Sequence, residues 1–328
     1  MRNMWIDITA ALALIGSAAA QTPPSTAVAN YPTKAVRLIV PFPPGGGTDF
    51  VARTVQARLA KALGQQIIID NRAGATGIVG TELGAKAPPD GYTLTMATGA
   101  TISANMALFP KLPYDPPKDF APITLIASQP NVLAVHPSLP AKTVRDLIAI
   151  AKSRPGQLSY ASSGSGSSHH LSGELLKIMS GINIVHVPYK GTGPAIIDAV
   201  GGHVEVIFSG IAAILPQVKS GKLRALAVTQ AQRSAILPAL PTIAESGLPG
   251  YEITSWHGML APAGTPHAVV LRVRNSVAKA LESADVRERF ASQGAEPVGS
   301  TPEAFAKFMH ADIAKIAKLI KAAGIKAD

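Results

Sequence analysis

The chain has no cysteine. That excludes disulfide staples, thiolate metal sites and a cysteine nucleophile, and it leaves an oxidising compartment open. Beyond the N-terminal segment no apolar run is long enough to cross a bilayer, so the mature chain is expected to be soluble. Charged residues are sparse (15%) and aromatics sparser (5%). The formal net charge is +10, but the lysines and arginines are scattered, with no basic run and no interleaved aromatics. This argues against nucleic acid as a partner and for a solvated basic surface. Such a surface also draws in small anions by long-range steering. There is no repeat of solenoid period, and no Gly-x-x-x-x-Gly-Lys-Ser/Thr phosphate loop.

What is present suits a folded protein of two ordinary domains: 328 residues, 47% of them hydrophobic. The 29 glycines and 27 prolines punctuate periodic segments and form no low-complexity tracts. At the N-terminus Arg2 precedes an apolar stretch through Ala11-Leu12-Ala13-Leu14-Ile15-Gly16, followed by the small residues Ser17-Ala18-Ala19-Ala20. Residues 1–20 therefore read as a secretory signal peptide, with Asp7 and the single basic residue as departures from the pattern. The other reading of this segment is a buried or frayed N-terminal helix.

Downstream, the chain is organised around residues 36–49. Val36-Arg37-Leu38-Ile39-Val40 reads as a buried strand, and Pro41-Phe42-Pro43-Pro44-Gly45-Gly46-Gly47 breaks it. Val51, Val55, Leu59 and Leu63 then recur every four residues, with Gly64 as a helix stop. A strand, a glycine-rich turn and a helix start leave backbone N–H groups without partners at the positive end of a helix dipole, which suits an anion. Further strand–helix alternation follows: a strand at 66–70, the turn Asn71–Gly77, a helix near 78–86, the turn Pro88–Gly91 and a strand at 92–97 leading to Thr98-Gly99-Ala100-Thr101. Alternation of this kind implies a parallel sheet covered by helices on both faces, with ligands beyond the carboxyl ends of the strands.

Pro110 to Pro122 reads as a proline-rich connection, 131–135 as a strand, and Thr143 through Ser153 as a helix capped by Thr143. A second α/β pattern begins at Leu158-Ser159-Tyr160-Ala161. It passes through Ser162-Ser163-Gly164-Ser165-Gly166-Ser167-Ser168 to a helix that stops at Gly181. A strand at 184–189 leads through Lys190-Gly191-Thr192-Gly193 to a helix with Pro194 in its first turn, and strands at 204–208 and 223–228 follow. Helices are expected near 267–282, 284–292 and 302–322, the last with Phe305, Phe308, Met309, Ile313, Ile316 and Ile320 near one face. Two α/β units, each with a Gly/Ser-rich strand-to-helix turn and joined by crossing strands, would set those turns across a cleft that closes by hinge motion.

Two other chemistries fit parts of the pattern. A serine hydrolase would use Ser165 or Ser167 with His169 or His170, but the Gly-x-Ser-x-Gly spacing and a third orienting group are missing. A metal site would gather His169, His170, His186, His203 and Glu205, yet no recognised ligand spacing such as His-Glu-x-x-His occurs. Capping and turn chemistry are the better account of the serines and are compatible with holding a carboxylate.

Several motifs in order resemble the Bug-type periplasmic solute-binding proteins of tripartite tricarboxylate transporters. They are Tyr31-Pro32, Pro41–Gly46, Asn71-Arg72, Asp90-Gly91-Tyr92-Thr93-Leu94, Ser163–Ser167 with His170-Leu171, Val187-Pro188-Tyr189-Lys190-Gly191, Trp256-His257-Gly258 and Ala261–Pro266. The resemblance implies an α/β, two-domain periplasmic-binding-protein fold (type II-like) with a ligand cleft between the domains. Residues 31–130 plus 254–328 would form the first domain and residues 131–253 the second. It further implies a periplasmic, non-enzymatic, monomeric receptor without metal or cofactor, which captures a small organic carboxylate and delivers it to membrane permease subunits. A close variant presents the closed form to a signalling kinase.

By position, the resemblance assigns ligand contacts to Phe42, Pro44, Gly45, Gly46, Thr48 and Asp49 in the first loop, and to Ser163, Ser165, Gly166, Ser167 and His170 in the second. Thr98, Thr101, Tyr189, Lys190, Gly191 and Thr192 would line the pocket. Glu205 stands where the family often has aspartate, a change expected to enlarge or shift a second-domain contact. Ala73 and Thr76 stand where proline and glycine are common, which alters the expected shape of the Asn71–Gly77 turn.

Overall fold

Strand and helix alternate from the start of the described chain. In the computed structural model, which describes residues 30–326, β1 (Val36–Val40) is buried and ends at the prolines. Helix α1 (Gly47–Leu63) then buries Val51, Val55, Leu59 and Leu63, and it stops at Gly64, whose positive φ lets its N–H reach the Ala60 carbonyl. β2 (Ile67–Asn71), α2 (Ile78–Ala85) and β3 (Thr93–Thr98) follow, with β2 and β3 parallel to β1 on its two sides. After the short helices α3 (Asn105–Leu108) and α4 (Pro116–Asp119) comes the long strand β4 (Phe120–Val135).

The next segment contains α5 (Val144–Ser153), β5 (Ser159–Ser162), α6 (Ser168–Ser180), β6 (Val185–Pro188), α7 (Thr192–Val200), β7 (Val206–Gly210), α8 (Ile211–Lys219) and β8 (Arg224–Val228). Thr143 caps α5 in a reciprocal capping box with Asp146. The chain returns through β9 (Thr254–Pro262) and ends in α9 (His267–Glu282), α10 (Ala284–Ser292), the short β10 (Glu296–Pro297) and α11 (Pro302–Ala323). On α11, Phe305, Met309, Ile316 and Ile320 are buried as the periodicity requires, and so are Asp312 and Leu319.

The strand order is β2-β1-β3-β9-β4-β7-β5-β6, with β8 and β10 also on β4. β4 changes partners along its length. From Phe120 to Pro130 it runs antiparallel to β9, and from Asn131 to Val135 it pairs antiparallel with β7 and β8. Separate cores form around each part. Trp256, Leu260, Phe305 and Met309 pack together on one side. Leu133, Tyr160, Phe208 and Tyr251 form a cluster on the other, with Val132, Ile207 and Val228 on the opposite face of the same strands.

Two expectations need correction. The sheet is mixed, because β4 and β9 run antiparallel to their neighbours. The proline-rich connection ends at Phe120, and residues 120–130 are strand. Prolines argue against a strand because they lack an N–H. Here register shifts between Pro122 and Thr124, and between Leu125 and Ala127, absorb the interruption.

Residues from Pro32 onward form one compact unit, and before it only Asn30 and Tyr31 are described. The signal peptide expected at 1–20 lies outside the described residues. Among the described residues no helix is long and apolar enough to cross a membrane.

Candidate functional site

Four helices start at one hollow. Each follows directly on the carboxyl end of a strand: α1 after β1, α6 after β5, α7 after β6 and α8 after β7. Gly46, Gly47 and Thr48, then Ser167 and Ser168, Gly191 and Thr192, and Gly210 line a single cavity of about 820 Å³. Gly46, Gly191 and Gly210 are the N-cap residues of α1, α7 and α8 and supply no side chain to close the first turn. The amides of a helix's first turn have no partner inside the helix, and four dipoles here place their positive ends on the same space. Asp312 and Lys315 are the charged residues of the lining. Asp312 is already engaged, accepting from Ser103 Oγ (2.6 Å) and Trp256 Nε1 (3.0 Å), with Lys315 Nζ at 3.7 Å.

The first loop is held from below. Gly45 turns with φ +83°, a conformation that disfavours a Cβ. Its N–H donates to Asp49 Oδ2 at 2.9 Å, and Arg53 Nε donates to the same oxygen at 2.8 Å. Asn71 Nδ2 donates to Asp49 Oδ1 and to the Phe42 carbonyl, 3.0 Å each. Burial raises the Asp49 pKa, but hydrogen bonds from Arg53, Gly45 and Asn71 more than offset it, so the carboxyl sits below the ordinary range. Phe42 and Pro44 line the cavity above this knot.

Ser167 caps α6 by accepting from the His170 N–H (3.2 Å), and its hydroxyl donates to the Gly164 carbonyl (2.7 Å). Half-buried His169 pairs through Nδ1 with Ser163 Oγ at 2.8 Å, and burial lowers its pKa to about 4. Buried His170 accepts from the Gly166 N–H at 3.0 Å and stacks on His186, with ring centroids 3.8 Å apart. His186 Nε2 and Ser162 Oγ lie 2.7 Å apart.

Of the residues assigned from sequence, Phe42, Pro44, Gly45, Gly46, Thr48, Thr98, Ser163, Gly166, Ser167, Gly191 and Thr192 line the cavity. Asp49, Thr101, Ser165, His170, Tyr189, Lys190 and Glu205 are not in that lining. Asp49 and His170 brace the two loops from behind. Thr101 is fully buried and donates to the Thr98 carbonyl (3.2 Å). Tyr189 OH donates to Asp198 (2.7 Å), and burial together with that carboxylate pushes the phenol up to about 12. Lys190 is exposed. Glu205 precedes β7, at the end of the strands away from the hollow, and accepts from the N–H and hydroxyl of Ser159 at 2.8 and 2.9 Å.

The walls lie outside the residues assigned from sequence. Gln129 and Asn131 come from β4, and Thr254, Ser255, Trp256 and His257 from β9. Leu171, Ile253, Gln293 and Ile316 add to them, together with Ala212 and Ala213 beyond the turn at Gly210. Gly210 had a usable signal, a glycine between a strand and a helix start. The β4 and β9 residues are chosen by where the crossing strands run, which no local pattern encodes. Among the described residues no group of three or more His, Asp and Glu side chains is placed to hold a metal ion.

Residues 51–325 match the family model described as the tripartite tricarboxylate transporter family receptor. The chain belongs to that receptor family. It is 38% identical over 324 residues to protein BugT of Bordetella pertussis (strain Tohama I), covering 98% of this chain and 99% of that one. Among solved structures, R. palustris Rpa4515 with adipate is 42% identical with a TM-score of 0.78, covering 90% of this chain and 99% of that one. MatC (Rpa3494) from Rhodopseudomonas palustris with bound malate is 35% identical with a TM-score of 0.73, covering 88% and 100%. The fold is thus the two-domain α/β fold of this family's solute-binding receptors, as the motifs implied.

Proposed function

We propose that the protein is a periplasmic receptor that captures a small organic carboxylate between residues 31–130 plus 254–328 and residues 131–253, and hands it to a membrane permease. The observation that carries this reading is the convergence of four helix N-termini, three without a side-chain cap, on one hollow. Backbone donors and dipoles bind an anion without a fixed counter-charge and leave its other end to pocket shape. Adipate and malate in the two solved relatives support a carboxylate as the ligand class. Phe42–Thr48, Thr98, Ser163, Gly166, Ser167, Ser168 and Gly191-Thr192 are the proposed contacts, with Asp49 and His170 holding two of these loops in shape. The leader-like N-terminus supports export, and the receptor family supports a binding role in place of catalysis. In the hydrolase alternative Ser165 or Ser167 would need an imidazole base, whereas Ser167 Oγ donates to a carbonyl and His169 pairs with Ser163.

The test is a thermal-shift and calorimetric screen of straight-chain mono- and dicarboxylates, with malate included. An acid present at about a hundred times its Kd stabilises the folded protein by about 2.7 kcal/mol. A flat response across the screen overturns the reading.

A further inference from the structure

His257 belongs to a motif that the fold and the loops leave unexplained. It sits on β9 opposite Thr98 of β3. The side chain lines the cavity and is 6% exposed. Its Nδ1 is enclosed and has no hydrogen-bond partner. The Cε1–Nε2 edge faces the start of α1: both atoms lie 3.9 Å from the point a Cβ on Gly47 would occupy. Gly47 opens a 17-residue helix whose N-cap, Gly46, provides no side chain. The ring edge and the open amides of α1 therefore border the same small volume.

We propose that His257 is a ligand-contacting residue whose Nε2–H donates a hydrogen bond to the carboxylate oxygen seated at the first turn of α1. The inference rests on the carboxylate reading above and adds an imidazole donor to a site otherwise built from backbone amides and hydroxyl side chains. Burial keeps the imidazole neutral, its pKa lowered to about 4, so the ring carries one proton and two choices of where to put it. On Nδ1 the proton would be buried with no acceptor, and the Nε2 lone pair would face the incoming anion. On Nε2 it points at the anion and leaves only a lone pair enclosed. An orphaned buried N–H is the rarer and costlier defect, and repulsion between lone pair and carboxylate adds to it. A glycine at 47 keeps the approach clear, because a methyl there would stand in contact with the ring edge.

The test uses the mature protein with 15N-labelled histidine and the straight-chain carboxylates from acetate to suberate, plus malate. In the wild type, long-range 1H–15N spectra should show Nε2 of His257 protonated, and its resonance should move as a binding acid saturates the site. His257→Leu should weaken that acid about tenfold to a hundredfold, the loss expected for one hydrogen bond to a charged group. An Nε2 signal that stays fixed at saturation overturns the inference while leaving the receptor reading intact. So does unchanged affinity in a folded His257→Leu. Should the variant fail to fold, the wild-type spectra decide alone. If no acid binds the wild type, the carboxylate reading fails and this one fails with it.

Discussion

Asp49 shows how a residue can matter to a binding site without lining it. Its carboxylate collects the Gly45 amide, the Arg53 guanidinium and the Asn71 amide, and thereby fixes the curvature of the loop that presents Gly46 and Gly47. Asp49→Ala leaves these donors without their acceptor and should cost about 1–3 kcal/mol of stability, read by chemical denaturation. It should also weaken the best-binding acid in the screen, read by calorimetry. A loop that keeps full affinity without Asp49 would show that the knot is incidental. In sequence, Asp49 could be placed at the site but not given its task, because its partner Asn71 lies at the end of β2, 22 residues further on. Ser167 was easier to read, since a serine three residues before its amide partner caps a helix by local geometry alone.

Among the elements, the turn at 71–77 repays attention to backbone angles. Ala75 and Thr76 both adopt positive φ, +44° and +52°. Thr76 thus occupies a conformation that suits glycine, which is the residue the family resemblance expects there. Gly77 follows with φ +87°, and a Cβ on it would lie 2.7 Å from Thr101 Cγ2 and 3.1 Å from Phe42 Cζ. Gly77→Ala therefore combines backbone strain with a push on two residues around the first loop. We expect a loss of about 1–3 kcal/mol, seen as a lower denaturation midpoint with unchanged slope. A midpoint equal to wild type would mean that the turn relaxes freely. Element identity was legible wherever glycine or proline punctuated a period, as at Gly64 and Gly181. It failed at residues 120–130, where Pro122 and Pro130 imitate a loop while a neighbouring strand holds the segment extended.

For the molecule as a whole, buried imidazoles set one dependence on pH. His257 is held near pKa 4 against an ordinary 6.5, and burial lowers His169 to about 4 as well. Below pH 6.5 the unfolded chain takes up protons that the folded chain refuses. Stability should therefore be full above that pH and fall as the pH drops toward 4, with His257 alone contributing up to about 3 kcal/mol of the loss. The carboxylates act later. Asp49 and Asp70 have lowered pKa values, so their contribution is present above the ordinary carboxylate range and is lost only as the pH falls below it. Urea melts from pH 7 to 4 check the first window, and a flat profile there would show that these rings protonate inside the fold. Strand–helix alternation that restarts after residue 153 made a second α/β unit and crossing strands between the units legible in outline, but not that residues 120–135 form the crossing.

That crossing has a mechanical corollary. Since the sixteen residues of β4 form a rung in both parts of the sheet, neither part can be cut out with its hydrogen-bond ladder whole. Any rotation between them would bend a continuous ribbon near Gln129-Pro130-Asn131, where β4 leaves β9 for β7, and so would act directly on two residues that line the hollow.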